Sequence, residues 1–497
     1  MTRHITTRWL VRGAALVTLA TAVPLQGCAD LLSVTDPDII LDANSAQGAL
    51  ALKNGVLLRL AQALNGVQGP DAFFIYSGLL ADEWRSGDTF VQRNNHDQRI
   101  WDPTNTFYAD PYRRLNRVRL EGQRAIKALR QYLPADSSYL TGRMFALVGY
   151  AETLIGESYC NGTPLSELEG PNIIFGFPLS NDSVLHRAAD AADTAFGLAV
   201  AQIAREDPVI AQADSGLTPP VTPADTTRWR QQRNAGIRRR NEAIRVRNLA
   251  AVVKGRALVD IGQFVAAAAA VAGVPDTFKY QVTHSTNSSS NQTFALNNGA
   301  RRYTMVDREG TNGLDFISAN DPRLPRATGS IIPDDLIFDS ALPLFVTRQG
   351  IWASTSAVSI VTGVEARLIE AEAALQAGQT AAWLSAINAL RTNTALYPAA
   401  QSQFTRGANL TAIADTFATN TSRLMTHFRE RAFWMFNTGH RLGDLRRLVR
   451  QYNRPADSVY PVGAYYKGGL YGNAYVMAVP FEEVNNPNFT QCTDQNP

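Results

Sequence analysis

Cysteine is scarce in this chain, with three residues among 497. That count excludes a disulfide-dense scaffold and a zinc site built from four thiolates. Only five of the 47 basic residues are lysine, so arginine richness is a general habit of the sequence. The six histidines (4, 96, 186, 284, 427 and 440) never pair at i, i+3 or i, i+4, so no helical metal motif exists. Asp307, Glu309 and Asp315 make only a thin acidic grouping, and no metal site is expected. There is no Gly-x-Ser-x-Gly, no P-loop and no His-Glu-x-x-His. The adjacent carboxylates Asp82-Glu83, Asp334-Asp335 and Glu482-Glu483 do not suit glycoside cleavage, which needs two acids facing each other across a bond. The chain therefore reads as a non-enzyme without catalytic residues or cofactor. A charge excess is also missing, since 47 basic residues meet 44 acidic ones. A nucleic-acid binder shows a larger and clustered excess. What is present is 45% hydrophobic and 9% aromatic content, enough to fill a core.

The beginning of the chain reads as an address. Arg3, Arg8 and Arg12 precede an uncharged run from Gly13 to Leu25, too short to span a bilayer comfortably. Leu25-Gln26-Gly27-Cys28 then resembles a lipobox, with Cys28 as the lipidated residue. Ordinary cleavage after Ala20-Thr21-Ala22 is the alternative. The expected division is a leader at 1–27, a tether at 28–41 and one body at 42–497. The leader holds three arginines and no acid, which leaves 44 charges of each sign downstream. No later run reaches the length of a spanning helix, so membrane contact is expected through the lipid alone.

Helical spacing dominates the body. Leu115, Val118, Gly122, Ile126, Leu129 and Leu133 form one stripe. Met144 to Ile155, Val246 to Ile261, Val364 to Leu375 and Trp383 to Leu390 form others, each following i, i+3, i+4, i+7. Ala257–Gln263 and Ala373–Gln379 look alike, each ending a helix near Gly-Gln before another Ala-rich helix begins. Gly156 is expected to mark a similar turn. This is the grammar of tetratricopeptide-like hairpins interrupted by insertions. The fold class is mainly α with a few short strands. The helical scaffold is expected at about 110–273 and 363–450. Loop-rich insertions are expected at about 68–110 and 274–362, with an irregular C-terminal segment at 451–497.

Arg228 to Arg256 holds ten basic residues and only Glu242 as an acid. An anion-binding face is one reading; a long helix whose arginines pair with acids elsewhere is the other and the favoured one, given the neutral body. No nucleic-acid partner is expected. Cys160 and Cys492 form an even pair, expected to oxidise outside the cytoplasm, with two buried thiols as the alternative. Aromatics of the irregular regions are the candidate ligand platforms, since rings pack on the C–H face of a sugar. They include Phe90 and Tyr108 in the first insertion and Tyr465, Tyr466 and Tyr471 near the end. The ligand-contact set expected is Trp84, Arg85, Trp101, Tyr303 and Trp352.

Several stretches together resemble the SusD/RagB family of nutrient-binding lipoproteins. Asp82-Glu83 after Ser77 to Leu80, Tyr112 to Val118 and Gly142 to Tyr159 followed by Gly162 to Leu165 match its early segments. Glu365 to Arg391 is similar to a later helix and its partner. Arg429-Glu430-Arg431 through Thr438 to Arg447 is similar to the most specific family stretch, and Pro480 to Asn488 to its closing segment. Asn437-Thr438, before Gly439, and Leu442, after Arg441, depart from that pattern. Glu430, Arg431, Arg441, Asp444 and Arg446 read as structural, with Glu430 or Asp444 expected to hold Arg441. The resemblance implies a lipid-anchored protein at the outer membrane, facing the exterior. It implies an oligosaccharide or peptide ligand handed to a SusC-like TonB-dependent β-barrel transporter. A lipid-anchored helical scaffold for envelope assembly is the alternative reading.

Overall fold

The structure, a computed structural model, describes residues 45–66, 72–169, 172–327 and 335–497. The leader, Cys28 and the tether lie outside the described residues. Ala43–Pro497 forms one compact unit. The first helix, α1 (Ala46–Asn65), starts where the Ser45 side chain accepts the Gly48 N–H and satisfies one orphan donor. It packs along α4 (Thr106–Tyr132), which packs on α5 (Ser138–Ser158). Between α1 and α4 lie α2 (Phe73–Leu80) and α3 (Val91–Asp97). This corrects the expectation of an irregular insertion at 68–110. Every residue of α2 is buried, so its apolar run lacks the amphipathic stripe that marks a surface helix.

The longest hairpin joins α6 (Asn181–Gly216) and α7 (Pro223–Asp260), each spanning roughly 55 Å at 1.5 Å per residue. Its arginines do pair across the hairpin. Arg239 meets Glu206 at 2.6 Å and Arg240 meets Asp207 at 2.5 Å, while Arg233 and Lys254 reach Asp214 and Asp193. Two further hairpins turn on glycine. Gly262 (φ 77°) separates α7 from α8 (Phe264–Val271), and Gly378 (φ 73°) separates α9 (Gly363–Gln376) from α10 (Thr380–Thr392). Both adopt the left-handed turn that glycine takes at no steric cost.

Gly156 does something else. It lies inside α5, which runs on to Ser158. A Cβ there would meet Leu185 of α6 at 2.9 Å. Gly142 and Gly149 face Ala195 and Ala188 carbonyls at 3.1 and 2.8 Å in the same way. The three glycines recur every seven residues along the face toward α6, and at Gly142 and Gly149 the two helices touch almost backbone to backbone.

The last helices are α11 (Asn420–Trp434) and α12 (Arg441–Arg450). Strands are few and pair as two-stranded antiparallel ladders. β1 (Trp84–Ser86) pairs with β7 (Tyr303–Met305), and β6 (Lys279–Val282) with β8 (Val358–Thr362). β2 (Thr163–Pro164) pairs with β5 (Pro178–Leu179), and β3 (Glu167–Glu169) with β4 (Asn172–Ile174). Cys160 and Cys492 form a disulfide with Cα atoms 5.9 Å apart. Beside it, Cys160 N–H donates to the Met477 carbonyl, so the C-terminal segment is tied to the end of α5.

The corner between α11 and α12 is a buried charge network. Asp444 accepts Arg431 through two bonds of 3.0 Å, Arg256 at 2.9 Å and Arg447 at 2.8 Å. Those guanidinium groups hold its carboxyl well below the usual range against the cost of burial. Arg441 is not held by Glu430 or Asp444 as expected. Its Nε donates at 2.8 Å to Asp82 and to the Ala81 carbonyl, because the turn after α2 is brought against α12. Glu430 instead receives Arg323 at 2.5 Å and Arg391. Arg446 donates to the carbonyls of Gly156, Glu157 and Tyr159 at 2.8–3.2 Å, capping the open end of α5.

Candidate functional site

A cleft of about 360 Å³ opens where the second insertion meets α11. The β6–β8 ladder builds one wall. Alternation along β6 buries Tyr280 and Val282 and turns Lys279 and Gln281 toward the cleft, beside Ser359 and Thr362 of β8. The opposite wall is apolar and aromatic. Trp352 comes from the insertion, Leu396 and Pro398 from the turn after α10, and Phe433, Trp434 and Phe436 from the end of α11. An apolar wall with a polar rim holds a small ligand by its carbon face and orients it by its hydroxyl or amide groups.

Trp352 is held rigidly. Gln349 Oε1 accepts the backbone N–H groups of Ile351 and Trp352, both at 2.8 Å. Gln349 Nε2 and Gln401 Nε2 donate to the Trp352 carbonyl at 2.8 and 2.7 Å. Fixing this backbone in advance lowers the entropy lost on binding. The Trp434 ring lies tilted against Tyr397 with the Arg323 guanidinium over its face, yet its indole Nε1–H is buried without a protein partner. A buried donor left unmade costs about 1–3 kcal/mol.

The other expected contacts are elsewhere. Trp84 and Tyr303 are completely buried in a second core beneath the β1–β7 ladder. Trp84 donates its indole N–H to Asn437 at 2.9 Å and packs on Phe436 at 5.3 Å. The two are therefore corrected from ligand platforms to core. Across the β1–β7 ladder Trp84 lies opposite Met305 and Tyr303 opposite Ser86, and both aromatic side chains turn inward. Arg85 is also committed internally, bonding Glu309 at 2.9 Å and lying 4.6 Å over the Tyr466 ring. Trp101 packs, partly exposed, against the main helical core and does not line the cleft. Of the five residues, only Trp352 does.

Tyr465, Tyr466 and Tyr471 form a strap over the insertion. The Tyr465 hydroxyl donates to Asp97 at 2.9 Å, and Tyr466 to the Ser86 carbonyl. Burial, with the facing carboxyl of Glu309, pushes Asp97 well above its usual range. Asp307, Glu309 and Asp315 each hold separate partners: the Ser318 hydroxyl, Arg85 and Arg429. Trp434 was not foreseen because it sits at the end of a helix that reads as structural. A large aromatic at a helix end, followed by Phe436 and Gly439, was the signal available.

No protein-family model matches the chain, and no curated protein matches it in sequence. Solved structures do. A SusD superfamily protein from Bacteroides vulgatus superposes with a TM-score of 0.57 at 14% identity, covering 90% of this chain and 98% of its own. A SusD-like carbohydrate binding protein from the same organism gives 0.55 at 13% identity, covering 91% and 98%. A SusD superfamily protein from Bacteroides fragilis gives 0.57 at 11% identity, covering 90% and 100%. The chain therefore has the same fold as these SusD-like structures over about nine-tenths of its length.

Proposed function

We propose that this chain is a lipid-anchored nutrient-binding protein of the outer membrane. It holds an oligosaccharide or a peptide in the Trp352–Trp434 cleft and delivers it to a SusC-like TonB-dependent barrel. The observation that carries the reading is the clamped Trp352 lining, together with Trp434, an apolar cleft with a polar rim. The SusD-like fold supports it, and one structural relative is a carbohydrate binding protein. Binding and delivery need no chemical step. Tethering through Cys28 raises the local concentration of bound ligand at the pore.

A protein partner is supported by exposed apolar surface. Ile173, Ile174 and Phe177 follow one another along β4 and the turn after it, and Phe481 and Val484 are exposed in the C-terminal segment. Asn486 and Asn488 side chains bond the carbonyls of Gly176 and Phe175 at 2.9 and 3.0 Å, which sets these stretches side by side. Contiguous apolar surface of this kind marks an interaction site.

Calorimetry against a panel of neutral oligosaccharides and short peptides tests the cleft. Trp352→Ala and Trp434→Ala are each expected to weaken the ligand that binds wild type by about tenfold or more, the loss typical of an aromatic anchor. Unchanged affinity in both variants sinks this site.

A further inference from the structure

A second concave site lies on the helical scaffold, in the groove between α1 and α4. Arg59 and Gln62 of α1 face Asp110, Arg113, Arg114 and Arg117 of α4 around about 180 Å³. Four guanidinium groups thus share one groove with few acids. Asp110 is 3.4 Å from both Arg113 and Arg114. Glu121 is 2.7 Å from Arg117 and 3.7 Å from Arg59. Two carboxylates against four guanidinium groups leave two positive charges in a concave surface. On the α6–α7 hairpin, by comparison, Arg233, Arg239 and Arg240 each meet a carboxylate. Arg114 adds a second sign, since its Nε is buried and has no hydrogen-bond partner. Arg59 donates to Gln62 Oε1 at 3.2 Å, which turns the amide nitrogen of Gln62 outward from that bond as one more donor.

We propose that this groove binds a phosphate monoester. A dianion neutralises the two uncompensated charges, and its oxygens accept the forked N–H pairs of arginine two at a time. The volume holds a phosphate and the unit that carries it. The site is separate from the Trp352 cleft in lining residues and in chemistry, so it stands whether or not that cleft binds nutrient. The same phosphate chemistry is offered by a soluble sugar phosphate and by a lipid headgroup.

Three probes test it on the full soluble body at low ionic strength: inorganic phosphate, glucose 6-phosphate and vesicles carrying phosphatidic acid. Calorimetry is expected to show one site for the soluble probes, with affinity falling as salt rises. Arg59→Gln/Arg114→Gln is expected to weaken binding by about tenfold or more, and Arg59→Lys/Arg114→Lys less, because the charge remains. Both pairs are checked for an unchanged melting temperature. Binding of vesicles alone, lost in the Gln pair, supports the phosphate site and assigns it to a headgroup. Binding of the soluble probes, lost in the same pair, assigns it to a free ester. No binding of any probe, or equal binding by wild type and the Gln pair, overturns the proposal.

Discussion

At the residue scale, single atoms decide whether the scaffold closes. Gly149 faces the Ala188 carbonyl, and a Cβ there would sit 2.8 Å from that oxygen. Alanine would gain about 1 kcal/mol of helix propensity over glycine. Overpacking a close contact costs about 1–3 kcal/mol, and backbone cannot step aside alone. Gly149→Ala is therefore expected to destabilise the protein, read as a lower urea midpoint; a higher midpoint contradicts the close-packed stripe. Asp444 carries a larger effect. Asp444→Asn leaves Arg256, Arg431 and Arg447 short of a buried counter-charge, a loss of about 3–5 kcal/mol expected in the same measurement. Glu157 gives a pH signature. Burial pushes its carboxyl up to about 7, and it pairs at 2.6 Å with His440, which burial lowers to about 4. The protonated acid then donates to a neutral imidazole. A folded value above the ordinary 4.5 means the native state holds the proton more tightly. That contribution is full below about pH 4.5 and is lost as pH rises through about 7. Glu157→Gln is expected to flatten stability against pH across this window, and an unchanged slope argues against the assignment.

At the scale of elements, the hairpins were legible and the insertions were not. The apolar stripes at Leu115, Met144, Val246, Val364 and Trp383 all lie on helices, and Gly262 and Gly378 both turn left-handed. These are local properties, set by spacing within one turn and by the φ that only glycine accepts easily. Gly156 carries the same letter in a similar setting, but the neighbour it meets is Leu185, in another helix. The C-terminal segment has no period to read. It is held by long-range ties: the Cys160–Cys492 disulfide and the Met477 carbonyl at Cys160. Cys492→Ser is expected to cost about 2–4 kcal/mol, measured by denaturation without reductant. It should also expose the last residues to carboxypeptidase. An unchanged midpoint would show that the hydrogen bonds alone hold the segment.

For the whole molecule, the proposed function assigns the Trp352 cleft to a ligand and the exposed apolar stretches at 173–177 and 481–484 to a partner. The exposed Phe177 and Val484 belong to the stretches joined by Asn486 and Asn488. Phe177→Asp/Val484→Asp is expected to abolish copurification of a β-barrel transporter while leaving ligand affinity of the Trp352 cleft unchanged. Copurification equal to wild type removes this patch from the proposed interface.

The sequence by itself determined the helical class, the glycine hairpins and the neutral balance of 44 charges of each sign from Cys28 onward. Each follows from composition or from spacing within a turn or two. Only the tertiary structure decided which aromatics face a ligand. Trp84 lies in the first insertion and Tyr303 in the same insertion as Trp352, but the β1–β7 ladder turns both into a core. Trp352 and Trp434, 82 positions apart, meet in one cleft because α11 packs against the insertion. Likewise Arg441 finds Asp82, far away in sequence, before the nearby Glu430 or Asp444. Burial and pairing across such separations depend on which surfaces come together, and no local period encodes that.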